Sequence, residues 1–231
     1  MQVLRHTGRS ALDQLRRVRD IAGLISGSAA LWLQGRGDRE ELRRRVARYG
    51  VAATPTAVFS GLAVGFLMVM LPLELLAQVG SEPLGGWLAV PLTRDVAPLL
   101  AAFLVAGRAR SPSPPAADIP TRIAAVLPAA TVSSAGLFVV ILGSALLGGF
   151  GMASLRTGTP LSAQLLWVAD AISVVDVLHA VGKTALFGVV VSSIRCYHSL
   201  IARTSAGVLR AVVAVLALNV VLSAPHYRGL L

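Results

Sequence analysis

The sequence predicts an all-α integral membrane protein, an N-terminal interfacial helix plus a bundle of five transmembrane helices, and three observations predict it. The 231 residues are 55% hydrophobic and only 14% charged, with a mean hydropathy of +0.73, whereas a soluble domain is charged at roughly a quarter of its positions. The apolar mass is Ala, Val, Leu and Gly with just 5% aromatic residues, which suits close-packed helices and excludes an aromatic-girdled barrel of alternating strands. At roughly 20 apolar residues per span plus loops, this length holds about four to six helices and leaves no room for a separate soluble catalytic domain. Residues 1–231 therefore form one domain, and any energy source sits on another chain.

Residues 9–33 set Leu12, Leu15, Val18, Ala22 and Ile25 at three- and four-residue steps, with Arg16, Arg17, Arg19 and Asp20 between them. That pattern is an amphipathic helix suited to the membrane interface, with a solvated cytoplasmic helix as the alternative. Its charges, and the lack of a compact apolar core before a small-residue cleavage site, argue against a signal peptide. Gly35 to Gly50 is a basic stretch carrying Arg36, Arg39, Arg43, Arg44, Arg45 and Arg48, expected on the cytoplasmic face.

The first span is 51–73, charge-free until Glu74 and long enough to cross the hydrocarbon with some tilt. Ala57, Gly61 and Gly65 recur in it at four-residue steps, either a small-residue face for close helix packing or general composition. The second span, 87–107, carries Arg94 and Asp95 toward its outer half. Ser111 to Pro115 then breaks any helix, because successive prolines remove donors and clash with the preceding turn. Ile123 to Leu155 is charge-free, long for one span and short for two. It reads as one helix over 126–148, with Pro128 near its start and Gly148 to Gly151 near its exit. A fourth span, 171–194, carries Asp176, His179 and Lys183, and a fifth, 208–224, ends before Pro225.

Positive charge orients these spans. With the N-terminus inside, eleven Arg of the N-terminal segment, Arg108, Arg110 and Arg122 of the second loop, and Arg195, Arg203 and Arg210 of the fourth all fall on the cytoplasmic face. Only Arg156 and Arg228 fall outside. The same count explains the formal net charge of +10 as a topology signal, so nucleic acid is not an expected partner. The single cysteine, Cys196, forms no internal disulfide and no metal site by itself.

Three stretches together resemble the MlaE/YrbE family of ABC-transporter permeases, membrane subunits of lipid transporters that work with MCE proteins. Thr93 to Arg108 reads TRDVAPLLAAFLVAGR, similar to the family's R-E-x-x-P through A-G-R second span, with matches at Arg94, Pro98 and Ala106-Gly107-Arg108. Asp176 to Phe187 reads DVLHAVGKTALF, similar to the family's acidic residue followed by an apolar segment and a Lys-Ser/Thr pair. Thr204 to Arg210 is TSAGVLR and Asn219 to Ser223 is NVVLS, resembling T-S-A-G-x-x-R and a final D-F-V-L-T, with Asn219 in place of the acid. One departure stands out. Where family members carry a cytoplasmic coupling helix resembling T-E-Q-x-x-A-M-x-x-M-x-x-D-P, Ala109 to Arg122 is only ARSPSPPAADIPTR, and the docking-helix pattern is missing.

The resemblance implies a permease subunit of a multi-pass protein in a bacterial inner (plasma) membrane, with a cytoplasmic N-terminus. It also implies a second permease (homo- or heterodimer), a cytoplasmic ATPase that binds the ATP, an MCE protein on the outer side, and a phospholipid-like substrate. No cofactor is expected on this chain. The alternative, favoured by the Pro-rich replacement, is a degenerate non-coupling subunit that scaffolds the complex or completes a heterodimeric permease. A channel-like oligomer would need a polar face through several spans, and only the second and fourth show one.

Four charged residues are the candidate substrate-binding positions: Arg94, Asp95, Asp176 and Lys183. A charge at mid-membrane costs about 2.5 to 3.5 kcal/mol on insertion scales, so each needs protein or water around it. Arg94 and Asp95 read either as the lining of a lipid-headgroup cavity, where a guanidinium can fork onto phosphate, or as a snorkelling interfacial pair. Asp176 and Lys183, two turns apart, share a helix face but cannot pair with each other; His179 between them reads as part of a polar seam more readily than as a proton relay. No phosphate-binding Gly-rich loop, HExxH or metal-ligand cluster occurs in the sequence, so catalytic and metal sites are both expected to be none, and the chain reads as a transporter subunit rather than an enzyme.

Overall fold

The computed structural model describes residues 16, 19–23, 25–31, 34, 39–76, 85–108, 119–200 and 207–227. In the N-terminal stretch, residues 16, 19–23 and 25–31 are helical; the remainder of the expected interfacial helix, and residues 109–118 of the Pro-rich segment, lie outside the described residues. The elements among the described residues are all helical: α1 (Arg39–Tyr49), a 3-10 turn (Val51–Ala53), α2 (Thr54–Leu76), α3 (85–108), α4 (Ile119–Thr157), α5 (Leu161–Ala171), α6 (Val174–Leu200) and α7 (Gly207–Tyr227). Five helical segments are long and apolar enough to cross a membrane: Arg39–Pro72, Leu88–Arg108, Ala125–Thr157, Val174–His198 and Gly207–Pro225. The protein is an all-α membrane helix bundle.

The central element is α4, which packs against α1, α2, α3, α5 and α6. Its 39 residues make a rod of about 58 Å at 1.5 Å per residue, nearly twice the roughly 30 Å hydrocarbon thickness. Ile123 to Leu155 is thus one helix, as read above, but it overruns the expected 126–148 at both ends: it begins at Ile119, ahead of Pro128, and Gly148 to Gly151 do not end it. Each end of the helix has its own apolar cluster. At one end Val126 and Ala129 are buried with Tyr49 and Cys196; at the other Phe150 and Ala153 are buried with Val69, Ala89 and Val168.

The main core between these clusters is built largely of alanine: Ala53, Ala57, Ala97, Ala101, Ala102, Ala106, Ala130, Ala180 and Ala211 are all buried in it. Small side chains let helices approach closely where lipid supplies no hydrophobic force to press them together. The Ala57-Gly61-Gly65 stripe is such a face. A Cβ on Gly61 would lie 2.7 Å from the Ile141 carbonyl oxygen, and one on Gly149 would lie 2.7 Å from that of Gly65. Large apolar residues point outward instead, including Phe59, Leu71, Val139, Leu209 and Val220, the lipid-facing belt of a bundle in a bilayer.

Three features differ from expectation. The basic stretch before the first span is helix α1, tied down by Arg45, which is buried and donates from Nε to Glu41 Oε1 at 2.7 Å. Helix α5 was not anticipated; it packs beside the start of α3, and α6 begins only at Val174 after the break at Ile172 and Ser173. The last helix runs through Pro225 to Tyr227, since proline removes a bond to the turn before it and the chain beyond can still continue helically.

Candidate functional site

The second and fourth spans meet at a place where α3 is not a regular α-helix. Between Gly85–Pro91 and Ala97–Arg108 it opens into a π turn, Leu92–Val96, in which the Ala97 N–H reaches back to the Leu92 carbonyl. Such wide turns occur as single insertions and concentrate at functional sites. A second irregularity follows from the sequence. Pro98 has no N–H, so the carbonyl of Arg94, four residues earlier, has no α-helical donor there, and a buried carbonyl without a partner is costly.

Lys183 of α6 supplies that partner. Its ammonium donates to the Arg94 carbonyl oxygen at 2.8 Å, to Asp95 Oδ1 at 2.7 Å and to Ser223 Oγ of α7 at 2.7 Å. A lysine ammonium has three donors, and all three are used. The Ser223 hydroxyl donates in turn to Asp95 Oδ1, and the Phe187 ring lies 5.9 Å from Nζ. The side chain of Lys183 is only 2% exposed. One lysine thereby joins three spans.

Two turns along α6 from Lys183, Asp176 forms an ion pair with Arg94 through Oδ1 and Nη2. Asp176 is also half of a reciprocal capping box. Its Oδ2 accepts from the Ser173 N–H at 3.1 Å, and its own N–H donates to Ser173 Oγ at 3.2 Å, the arrangement that satisfies free donors at a helix start. Replacing the serine, Ser173→Ala, is expected to lower stability by about 1 kcal/mol through the lost cap. Thermal melts of the detergent-solubilised protein check this, and an unchanged midpoint would show that the cap contributes nothing.

All four sequence-predicted charges therefore come together, as two cross-helix pairs of opposite polarity. Arg94 and Asp95, consecutive on α3, meet Asp176 and Lys183 on α6, and the formal charges cancel. Two nearby polar atoms are buried without a hydrogen-bond partner: Arg94 Nε and, one turn before Ser223, Asn219 Oδ1. His179 is half-buried on α6 between the two charged positions. Sequence reasoning did not single out Ser173 or Ser223. A usable signal was there for the inner pair: Lys183 is the one lysine of the chain, the other 20 of its 21 Lys and Arg residues being arginine. A compact ammonium with three rotatable donors matches the three acceptors it meets here.

The described part of TSAGVLR, Gly207 to Arg210, and the AGR motif make contacts of their own. Arg210 Nη1 is 3.1 Å from His198 Nε2 across the α6–α7 connection, and a Cβ on Gly207 would lie 2.9 Å from the His198 Cβ, so only glycine admits this approach. Arg108 donates to Thr56 Oγ1 at 3.1 Å, tying the end of the second span to the start of the first.

The family model described as Permease MlaE matches the chain over residues 42–124 and 118–224. The two segments overlap over residues 118–124. No curated protein matches the chain.

Proposed function

Because the chain belongs to the MlaE permease family, an ABC-type permease subunit built as a multi-pass helix bundle, we propose that it moves a phospholipid-like substrate across or out of the membrane. In this reading a cytoplasmic ATPase binds the ATP, an MCE protein receives or delivers lipid on the outer side, and a second permease completes the assembly. The N-terminus lies in the cytoplasm of a bacterial inner membrane, on the strength of the arginine distribution. The observation that carries the reading is the paired charge cluster of Arg94, Asp95, Asp176 and Lys183 within two membrane spans of a permease. Charges placed there are expensive and mark substrate paths by default.

The test is purification of the tagged full chain from its native membrane in mild detergent, with identification of co-eluting proteins and lipids. An ATPase, an MCE protein and bound phospholipid are the expected result. A chain that elutes without lipid and without an ATPase overturns the proposal.

One observation favours a second reading, a non-coupling subunit of a heterodimer. Ala109 to Arg122 replaces the docking helix with a stretch carrying Pro112, Pro114 and Pro115, and each Pro inside a helix costs about 3 kcal/mol. A stoichiometric, lipid-stimulated ATPase complex formed with this permease alone would eliminate that reading.

A further inference from the structure

The two ion pairs of the site are not equivalent. The inner ammonium is saturated: Lys183 is 2% exposed and every donor is spent on Asp95, Ser223 and the carbonyl that Pro98 leaves open. The outer pair is more open on its cationic side. Arg94 and Asp176 side chains are 23% and 14% exposed, the guanidinium meets the carboxylate through Nη2, and its Nε is buried with no partner. Guanidinium has a fork geometry that engages two oxygens of a phosphate at once, and the Asp176 contact leaves half of that fork idle. Asp176 can also let go cheaply. Its second oxygen stays on the Ser173 N–H, so the carboxylate keeps its place at the helix start after Arg94 turns away.

Charge balance decides what can exchange with this pair. An anion alone would take Arg94 and leave Asp176 as an uncompensated negative charge in a low-dielectric setting, which is strongly disfavoured. A ligand with phosphate and ammonium side by side leaves neither charge bare: phosphate replaces the carboxylate on Arg94, and ammonium replaces the guanidinium on Asp176. We propose that the Arg94–Asp176 pair is an exchangeable latch that opens onto a zwitterionic phosphate–ammonium headgroup, with Asp176 as the residue that sets preference for it over a purely anionic one. The inference rests on the lipid-permease reading above and adds the headgroup class.

The experiment equilibrates the purified full chain in neutral detergent with equal amounts of phosphatidylethanolamine and phosphatidylglycerol bearing identical acyl chains, and the retained lipids are counted. The wild-type protein should retain the ethanolamine lipid preferentially. Asp176→Asn keeps a side-chain oxygen for the Ser173 cap, removes the negative charge, and should shift the retained ratio about tenfold toward the glycerol lipid. Arg94→Lys, which preserves charge and pairing but lacks the fork, should lower retention of both lipids several-fold at unchanged abundance, so the idea remains testable even where Asp176→Asn fails to fold. Competition by soluble phosphoethanolamine at millimolar concentration tells a free headgroup from a lipid-borne one; full displacement assigns the latch to the former, no displacement to the latter, and both support phosphate–ammonium recognition. Equal retention of both lipids by the wild type, an unchanged ratio in Asp176→Asn, or unchanged retention in Arg94→Lys overturns the latch and leaves the lipid reading standing. A protein that retains no lipid overturns both.

Discussion

Lys183→Met is expected to remove most of the folded protein from the membrane. The substitution deletes three donors at once: the partly buried Asp95 carboxylate loses its ammonium at 2.7 Å, and the Arg94 carbonyl, which Pro98 cannot serve, loses its 2.8 Å partner. Breaking one side of a buried ion pair costs about 3 to 5 kcal/mol, a large share of the roughly 5 to 15 kcal/mol that holds a domain together. The size of the loss alone would not identify its cause, so the partner substitution is the sharper measurement. Asp95→Asn combined with Lys183→Met removes the charge that Lys183 balanced and should recover more than half of the loss in thermal stability and membrane abundance, a coupling that independent sites would not show. The carbonyl remains unserved in that double variant; Pro98→Ala, which restores a backbone N–H, should recover a further part. If Lys183→Met alone melts and accumulates like the wild type, the ammonium is not structural, and the argument from its three contacts fails.

Why the lysine's partners were not legible in the sequence is clear from the residues themselves. The spans could be read because about 20 apolar residues in a row have few other uses, and the resemblance across TRDVAPLLAAFLVAGR, DVLHAVGKTALF and TSAGVLR led to the family that the match establishes. The four charges stood out because charge is rare in such segments. Their pairing did not, since it depends on a π turn at Leu92–Val96 and on parallel placement of α3 beside α6, neither of which has a local signature. The role of Pro98 belongs to the same class: it is felt four residues back, at a carbonyl, and is met from another helix. Helix α1 was hidden by its own arginines, which served the topology count while Leu42, Val46 and Tyr49 formed the stripe that packs on α4. Helix α5, LSAQLLWVADA, is too short to span and too evenly apolar to show a period, so neither length nor amphipathic pattern could mark it.

Gly65→Ala, the smallest possible change at the α2–α4 contact, is expected to destabilise the bundle by about 2 kcal/mol or more, and Gly65→Leu to prevent its assembly. A Cβ at Gly65 would sit 2.6 Å from the carbonyl carbon and 2.7 Å from the Cα of Ala145. These are backbone atoms in the middle of a long helix and cannot rotate aside. The contact is reciprocal, because a Cβ on Gly148 would lie 2.8 Å from the Leu62 carbonyl oxygen and one on Gly149 2.7 Å from that of Gly65, so sliding either helix to relieve one clash tightens another. Parting the helices would forfeit the close packing that substitutes for hydrophobic force within lipid. The control lies on α4 itself. Gly143 has nothing within 4 Å of its Cβ position and is exposed, so Gly143→Ala should match or slightly exceed the wild type, in line with alanine's advantage of about 1 kcal/mol in a helix. Melting midpoints and membrane yields of the two alanine variants, measured side by side, separate a steric cause from a general intolerance of change. If Gly65→Ala melts with Gly143→Ala, the two helices are not held at backbone contact and the small-residue stripe is composition rather than packing.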